Sequence, residues 1–266
     1  MAGFIWMLTW MGTASAGEHL LQVVAGGRAD AAGSVSVWLT LKNAGNRPIF
    51  NIHPRLQFHH TQSMMSRIVK LEPGQSITLE NTEHPPVLRV GRYPLVARVS
   101  YRKSPTDAVP LSLIHTGSFY FQEPVESVIQ GRIDSSVEPR GALLRVRLIN
   151  NSTALKNVRM MLLLPPGLIA KSFRGMMGVT LRGGEQKNFT VPVQKSADSR
   201  EGGYPVHLMI EYAEMVKHYT GEIRGRIHFG TVWDSGAYGP HLAVIAAMSL
   251  ALFLAYRWKA RRSLQT

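Results

Sequence analysis

The segment with the most chemical potential combines imidazole and thioether side chains in the first half of the chain. Residues 49–70 (IFNIHPRLQFHHTQSMMSRIVK) contain five possible metal ligands: His53, His59, His60, Met64 and Met65. In an exported chain without cysteine, imidazoles and soft thioethers are the groups from which a copper site can be built. The spacing from His59 to Met64 fits neither one face of a helix nor one face of a strand. The alternative is a loop or edge strand that faces a partner protein, with Phe58 and the methionines packing against that partner.

A second candidate is a basic strand face in the second half of the chain. Arg145 and Arg147 are two residues apart in an alternating segment, which places both side chains on the same face of a strand. Guanidinium groups at this spacing can bind carboxylate or phosphate groups in a bidentate manner, on an anionic glycan or on a partner protein. The alternative is an ordinary solvated strand face.

The sequence lacks the motifs that usually accompany enzyme chemistry. It has no cysteine, no nucleophile elbow, no phosphate-binding loop and no zinc-binding helix motif. Acidic residues are few and scattered, so no paired-carboxylate site is indicated. We therefore predict a protein that is not an enzyme and that needs no cofactor, copper being the one exception that the His/Met segment allows.

The amino terminus has the pattern of a secretory signal. Residues 4–11 are apolar and are followed by Ala14-Ser15-Ala16, a small-x-small pattern typical of signal peptidase sites. We predict a signal peptide over residues 1–16, although no basic residue precedes the apolar run. An uncleaved amino-terminal anchor is the alternative.

The carboxyl terminus has the pattern of a membrane anchor. Residues 242–256 are an uninterrupted apolar run, and four basic residues follow it at once. With flanking aromatic residues, this predicts a short linker over residues 231–240, a transmembrane helix over residues 241–258 and a cytoplasmic tail over residues 259–266. The body of this single-pass membrane protein is then extracytoplasmic, in a periplasm or at the cell surface.

The charge balance constrains the partners. The formal net charge is +13 at pH 7, so anionic partners are favoured over basic ones. An exported protein meets little nucleic acid, which leaves anionic headgroups of the membrane, anionic glycans and other membrane or envelope proteins.

Between the hydrophobic ends, the same set of strand and turn signals occurs twice. Residues 39–43 (LTLKN) correspond to residues 146–150 (VRLIN) at an offset of 107, and Gly74 corresponds to Gly184 at an offset of 110. Residues 91–94 (GRYP) correspond to residues 202–205 (GGYP) at an offset of 111. A period of about 110 residues matches an immunoglobulin-like sandwich of roughly 100 residues.

The pattern therefore predicts an all-β fold with two tandem immunoglobulin-like β-sandwiches, over residues 17–122 and 123–230. We interpret residues 49–70 as an insertion in the first copy.

These repeated turn and strand motifs resemble the bacterial and archaeal immunoglobulin-like modules of the CARDB type and the similar domain appended to α-galactosidases. The resemblance covers roughly residues 20–230 as two copies. It implies spacer, adhesive or substrate-presenting modules at the cell surface and carries no catalytic residue. We therefore predict a non-enzymatic, membrane-anchored interaction or scaffold subunit of a larger envelope complex. Exported copper handling and binding of acidic glycan are the alternatives.

Overall fold

A computed structural model describes the protein over residues 20–59, 61–138, 141–173, 175–196, 199 and 202–229. All regular secondary structure in these residues is β-strand, which confirms the predicted all-β class. The strands of the first half are β1 (Leu21–Ala29), β2 (Val35–Asn43), β3 (Ile49–Phe58), β4 (Thr61–Met64), β5 (Ile68–Leu71), β6 (Ser76–Asn81), β7 (Val90–Arg102) and β8 (Leu111–Phe121). Those of the second half are β9 (Ile129–Glu138), β10 (Gly141–Asn150), β11 (Lys156–Leu163), β12 (Leu168–Ile169), β13 (Met176–Leu181), β14 (Gln186–Lys195), β15 (Gly202–Glu214) and β16 (Lys217–Phe229).

The predicted signal peptide, transmembrane helix and tail lie outside the described residues. The part of the chain that the structure describes has no helix with the length and hydrophobicity of a membrane span.

The strands form two modules with the same strand arrangement. In the first module (β1–β8), the sheet β1-β2-β6 packs on strands β8-β7-β3, and β4 and β5 pair with the free edge of β3. In the second module (β9–β16), the sheet β12-β14-β10-β9 is matched by the strand order β13-β11-β15-β16. Each module is thus a sandwich with immunoglobulin-like strand order.

The cores follow from the period-two pattern of the strands. In β2, Val35, Val37, Leu39 and Leu41 alternate with more exposed residues and are at most 3% exposed. They pack in one cluster with inward residues of β3, β5, β7 and β8, so the core lies between the two sheets.

Each copy of the repeat places a buried asparagine at the end of its second strand. Asn43 and Asn150 are both 0% exposed. The Asn43 amide donates to the carbonyls of Arg47 (2.8 Å) and Leu71 (2.9 Å). Its side-chain oxygen accepts from the Gly45 amide at 3.0 Å. One polar side chain therefore ties β2 to the turn that follows it and to the end of β5.

The second copy repeats the arrangement. The two N–H groups of the Asn150 side chain are shared among the carbonyls of Ala154 (2.8 Å), Leu181 (3.2 Å) and Arg182 (2.9 Å). In both copies a glycine with positive φ, Gly74 at 74° and Gly184 at 69°, donates its amide to the carbonyl of the buried asparagine. Glycine adopts this backbone conformation without steric cost, which explains its place in both turns.

The two modules are joined by a parallel strand pair. Lys217 and His218 at the start of β16 pair with Val90 and Gly91 at the start of β7, which fuses strands of both modules into one nine-stranded sheet. The described residues up to His228 form one compact unit. The tandem sandwiches are therefore not separate bodies on a linker.

A small apolar cluster reinforces this joint. Val96 of the first module packs with Leu163 and Met209 of the second, all at most 2% exposed. Partly buried Ile114 and Met161 extend the cluster.

Candidate functional site at the module junction

Two histidines and a glutamate meet where the modules join. His59 follows β3 in the first module, whereas Glu211 lies on β15 and His218 on β16 of the second. The distance from His59 Nδ1 to Glu211 Oε2 is 2.7 Å, and that from His218 Nε2 to the same oxygen is 3.4 Å. The side chains of Glu211 and His218 are each 7% exposed, and that of His59 is 31% exposed.

Aromatic packing and a backbone carbonyl fix the orientation of His218. Its ring stacks on Tyr93 at a centroid distance of 4.3 Å and an interplanar angle of 3°, and lies edge-on to His59 at 5.0 Å. Its Nδ1 lies 2.7 Å from the carbonyl oxygen of Arg92, which also accepts from the Thr220 hydroxyl at 2.9 Å. The GRYP motif of the first module thus builds one wall of the site.

The carboxyl of Glu211 is ionised in this setting. Burial raises the pKa of Glu211, but the hydrogen bonds and charges of His218 and His59 outweigh burial and lower the pKa to about 2. The site therefore presents a buried carboxylate against two imidazoles.

The cluster lines an open cleft at the module junction, called the junction cleft below. Its volume is about 640 Å³. Besides the cluster, its lining includes the segment Pro85-Pro86-Val87-Leu88 and the side chains of Arg89 and Arg159. Leu88 is 86% exposed, so one wall of the cleft is apolar and open to solvent.

Among the comparisons with known proteins, only solved structures match, and their similarity to this chain is weak. No protein-family model and no curated protein matches the chain. Similar solved structures include the native E. coli alpha-2-macroglobulin, at 8% identity over 78% of this chain and 17% of that chain, with a TM-score of 0.30. The YadV chaperone matches at 13% identity over 78% of this chain and 99% of that chain, with a TM-score of 0.26.

A third similar structure is the CsuC–CsuE chaperone–tip adhesion subunit pre-assembly complex of Acinetobacter baumannii. It matches at 12% identity over 71% of this chain and 90% of that chain, with a TM-score of 0.26. The chain spans 17% of the macroglobulin and 31% of a similar red sea bream transglutaminase. Similarity at this level does not extend to function.

The His/Met segment is built differently from the sequence-based expectation. Residues 49–70 form β3, β4 and most of β5, so the interpretation as a loop is wrong. The alternation of Ile52, Leu56 and Phe58 on β3 explains this, since all three side chains are buried. β4 lies at one end of the strand order of its sheet, so the interpretation as an edge strand fits residues 61–64. The segment is not an insertion, because β3 pairs with β5 as β11 pairs with β13 in the second module.

The predicted copper ligands are dispersed. His59 belongs to the junction cluster, and His60 lies outside the described residues. Met64 is 70% exposed and pairs with Arg55 of β3, which precedes His59 by four residues, while Met65 packs in the core of the first module. His53 lies on β3 opposite Ser100 of β7. Of the predicted set, only His59 is among the three residues grouped at the junction.

Phe58 is a core residue rather than a contact for a partner. It is 2% exposed and packs against Tyr93 and Phe119, with ring centroids 6.0 and 5.6 Å apart. The prediction that Phe58 packs against a partner protein is therefore wrong.

Arg145 and Arg147 lie on one exposed face of β10, as the spacing predicts. Arg145 is opposite Asp134 of β9, and Arg147 is opposite Arg132. Because Arg132 forms an ion pair with Asp134 at 2.6 Å, the face carries mixed charge. Binding of anionic glycan or a protein at this face stays a prediction.

No motif in the sequence indicates a functional role for Glu211 or His218. The available signal is a charged residue inside the apolar run LMIEY of β15, where a buried carboxylate requires a partner. The partner His59 is 152 positions away along the chain, and no local pattern relates the two.

A second histidine–glutamate pair lies in the second module and is linked to the first module through Thr116. Glu222 of β16 accepts from the Thr116 hydroxyl of β8 at 2.7 Å and from Arg224 at 2.9 Å, and His207 Nδ1 lies 2.7 Å from it. Burial raises the pKa of Glu222, but the hydrogen bonds of His207, Arg224 and Thr116 outweigh burial and lower the pKa to about 2. His115 also faces this group, and its pKa is lowered by burial although Glu222 opposes the shift.

Glu222→Gln is expected to lower the free energy of unfolding at pH 7 by about 2 kcal/mol, because it removes the charge that Thr116, His207 and Arg224 solvate. A depressed carboxyl pKa stabilises the fold above the unfolded value of 4.5, and this contribution is lost as the pH falls towards about 2. The difference between wild type and variant should therefore shrink over that pH interval in urea titrations of the full chain.

Glu72→Gln provides the control for Glu222→Gln. Glu72 forms an ion pair with Lys70 at 2.5 Å, but its side chain is 52% exposed, so the expected cost is at most about 1 kcal/mol. Equal effects of the two substitutions across the pH range would show that Glu222 adds nothing beyond a surface ion pair.

Proposed function

We propose that the chain is a non-enzymatic interaction subunit of an envelope complex. Residues 241–258 anchor it in the membrane, the two modules lie on the extracytoplasmic side, and the junction cleft binds an acidic segment of a partner protein. The observation that carries this proposal is the junction cleft, which combines an exposed apolar wall with two arginines.

The chemistry of the lining favours a polypeptide partner with acidic residues. Pro85 and Pro86 are exposed beside Leu88, and together they offer an apolar surface on a segment without regular structure. Arg89 is exposed next to them, and Arg159 lines the cleft from the second module. Arginine forms bidentate bonds to carboxylates. Without the four basic residues of the cytoplasmic end, a net charge of 13 − 4 = +9 remains on the extracytoplasmic side and adds a long-range attraction for an acidic partner.

The joint between the modules supports this use of the cleft. The β16–β7 strand pair and the cluster of Val96, Leu163 and Met209 hold the two walls in one compact unit. A cleft that is formed before binding costs less conformational entropy when its ligand arrives.

Site-specific photo-crosslinking tests the proposal in native membranes that contain the full chain. A photoreactive benzoyl-phenylalanine at position 88 is expected to give a discrete adduct with one envelope protein, and mass spectrometry should map the attachment to an acidic segment. The same residue at position 24 is the control, because Val24 is 57% exposed but does not line the cleft.

Charge variants of Arg89 test whether its positive charge contributes to binding of the acidic segment. Arg89→Glu should reduce the adduct at position 88 by about tenfold or more, since one favourable charge contact becomes repulsive, whereas Arg89→Lys should retain most of it. An adduct that forms equally at position 24, or that survives Arg89→Glu, contradicts the proposed binding surface.

A further inference from the structure

We propose that His59, Glu211 and His218 form a binding site for a divalent transition metal ion of the zinc type in the wall of the junction cleft. This goes beyond the proposed partner binding and does not depend on it, because all three groups belong to this chain. The ligand set shares only His59 with the copper ligands predicted from the sequence.

One distance between donor atoms already matches a tetrahedral ion, and the others have to adjust when an ion binds. The three donor atoms lie within 4.8 Å of one another. Bonds of about 2.0–2.1 Å to nitrogen and oxygen place neighbouring ligand atoms of a tetrahedron about 3.4 Å apart. The separation of His218 Nε2 and Glu211 Oε2 is 3.4 Å, and the 2.7 Å between His59 Nδ1 and the same oxygen has to lengthen by about 0.7 Å.

The contact with Arg92 fixes the tautomer of His218. A carbonyl oxygen only accepts, so the contact with Arg92 requires the proton on His218 Nδ1. In the neutral imidazole, Nε2 then carries a lone pair, and it faces the carboxylate oxygen of Glu211. His218 therefore directs Nε2, and not Nδ1, towards the carboxylate of Glu211.

The surroundings of His218 are those of a metal ligand. Histidines that bind metals commonly donate their other ring N–H to a backbone carbonyl or carboxylate, which fixes the tautomer and the direction of the ligating nitrogen. Here the carbonyl of Arg92 fills that role, and the stacked ring of Tyr93 restrains the imidazole plane. The ring therefore needs no rearrangement to present Nε2.

The cleft supplies access and an open coordination position. His59, Glu211 and His218 all line it, so an ion can reach them and take a water molecule as its fourth ligand. Two imidazoles and one carboxylate suit zinc and neighbouring divalent ions, whereas the soft ion Cu(I) favours sulfur ligands. Because the ligands come from both modules, a bound ion links the modules directly.

Cobalt binding to the full chain provides the test. The protein is purified in detergent, stripped with chelator and titrated with Co²⁺, whose visible d–d spectrum reports on coordination geometry. One equivalent is expected to bind with a tetrahedral or five-coordinate spectrum, and Zn²⁺ should displace it. The midpoint of thermal unfolding should rise with added Zn²⁺, because a ligand of the folded state alone stabilises that state.

His218→Asn is the most selective variant. The asparagine amide can still donate to the Arg92 carbonyl, but the ligating Nε2 is gone. The affinity for Co²⁺ should fall by more than about 100-fold, since changes in outer-shell groups alone already cost 10–100-fold. His59→Asn serves as a second variant, because asparagine tolerates the φ of 50° at this position, and its expected loss is similar.

His207→Asn is the matched control. His207 lies 2.7 Å from Glu222, the same distance as in the His59–Glu211 pair, but these two residues are not grouped with a third possible ligand among the described residues. It should leave Co²⁺ binding unchanged. The proposal is overturned if folded wild-type protein binds no Co²⁺ at micromolar concentration, or if both His218→Asn and His59→Asn bind it like the wild type. Since no partner is present in this assay, its outcome is separate from that of the crosslinking experiment.

Discussion

Gly91→Ala is expected to lower the free energy of unfolding by more than about 4 kcal/mol and to break the joint between the two modules. Gly91 has a φ of 135°, a conformation that side chains with a Cβ rarely adopt. An added Cβ would also lie 2.0 Å from the carbonyl oxygen of His218 and 2.9 Å from Cγ2 of Val125. The first clash is with backbone, so it can be relieved only by moving β16 away from β7.

Denaturant unfolding of the full chain measures this loss of unfolding free energy. Gly74→Ala separates its two causes, the backbone conformation and the clash of the added Cβ. Gly74 also has positive φ, 74°, but no atom lies within 4 Å of the position of an added Cβ. Its substitution reports the conformational penalty alone, about 1–2 kcal/mol. If Gly91→Ala costs no more than Gly74→Ala, the close approach of β16 does not hold the modules together.

A local consequence of Gly91→Ala should also be visible at the junction cluster. His218 pairs with Gly91, and its Nδ1 is held by the next carbonyl, that of Arg92. Displacement of β16 therefore removes the restraint on the His218 ring. Any metal affinity measured for the wild-type protein should be lost together with the joint.

Much of the fold was predictable because its signals are local and occur twice. The buried asparagines, Asn43 and Asn150, end equivalent strands, and Gly74 and Gly184 bind their carbonyls in equivalent turns. A repeat of turn chemistry at a constant spacing specifies a module of a given size, whatever its function. The β-sandwich architecture could therefore be derived from sequence.

The candidate site was not predictable because it depends on contacts between the modules. The sequence groups His59 with the other possible ligands of residues 49–70, but in the structure it lies beside Glu211 and His218. These three residues come together only because β16 pairs in parallel with β7. No turn or spacing in the sequence predicts a parallel pair between strands so far apart in the chain.

Residues 49–70 show how composition can obscure a pattern that is present. Ile52, Leu56 and Phe58 follow the period of a strand, and the structure buries all three in the first module. The density of histidine and methionine indicates either a copper site or a loop or edge strand that faces a partner, and the alternation alone does not decide between these interpretations. The side chains that alternate with the buried ones are polar and include His53, Arg55 and Gln57, so the segment has the two-faced pattern of a strand.

Asn150→Ala is expected to cost about 4 kcal/mol of unfolding free energy. The substitution removes the two side-chain N–H donors that the carbonyls of Ala154, Leu181 and Arg182 share, and each buried acceptor left without a donor costs about 1–3 kcal/mol. Asn43→Ala in the first module removes the same two N–H donors, here from the carbonyls of Arg47 and Leu71, so its expected cost is similar, about 4 kcal/mol.

Asn150→Asp distinguishes the hydrogen bonds of Asn150 from its packing. Aspartate has nearly the same volume and can still accept from the Ser152 amide, which lies 3.1 Å from the Asn150 oxygen, but it cannot donate to carbonyls. If the lost donor is the cause, Asn150→Asp destabilises at least as much as Asn150→Ala, because a buried carboxylate then faces three carbonyl oxygens. Asn188→Ala, at an exposed position of β14, should stay within about 0.5 kcal/mol of wild type in the same denaturant titrations. A cost below about 1 kcal/mol for both substitutions of Asn150 would mean that apolar packing between the sheets determines the stability of the second module, and that the hydrogen bonds of the Asn150 side chain do not.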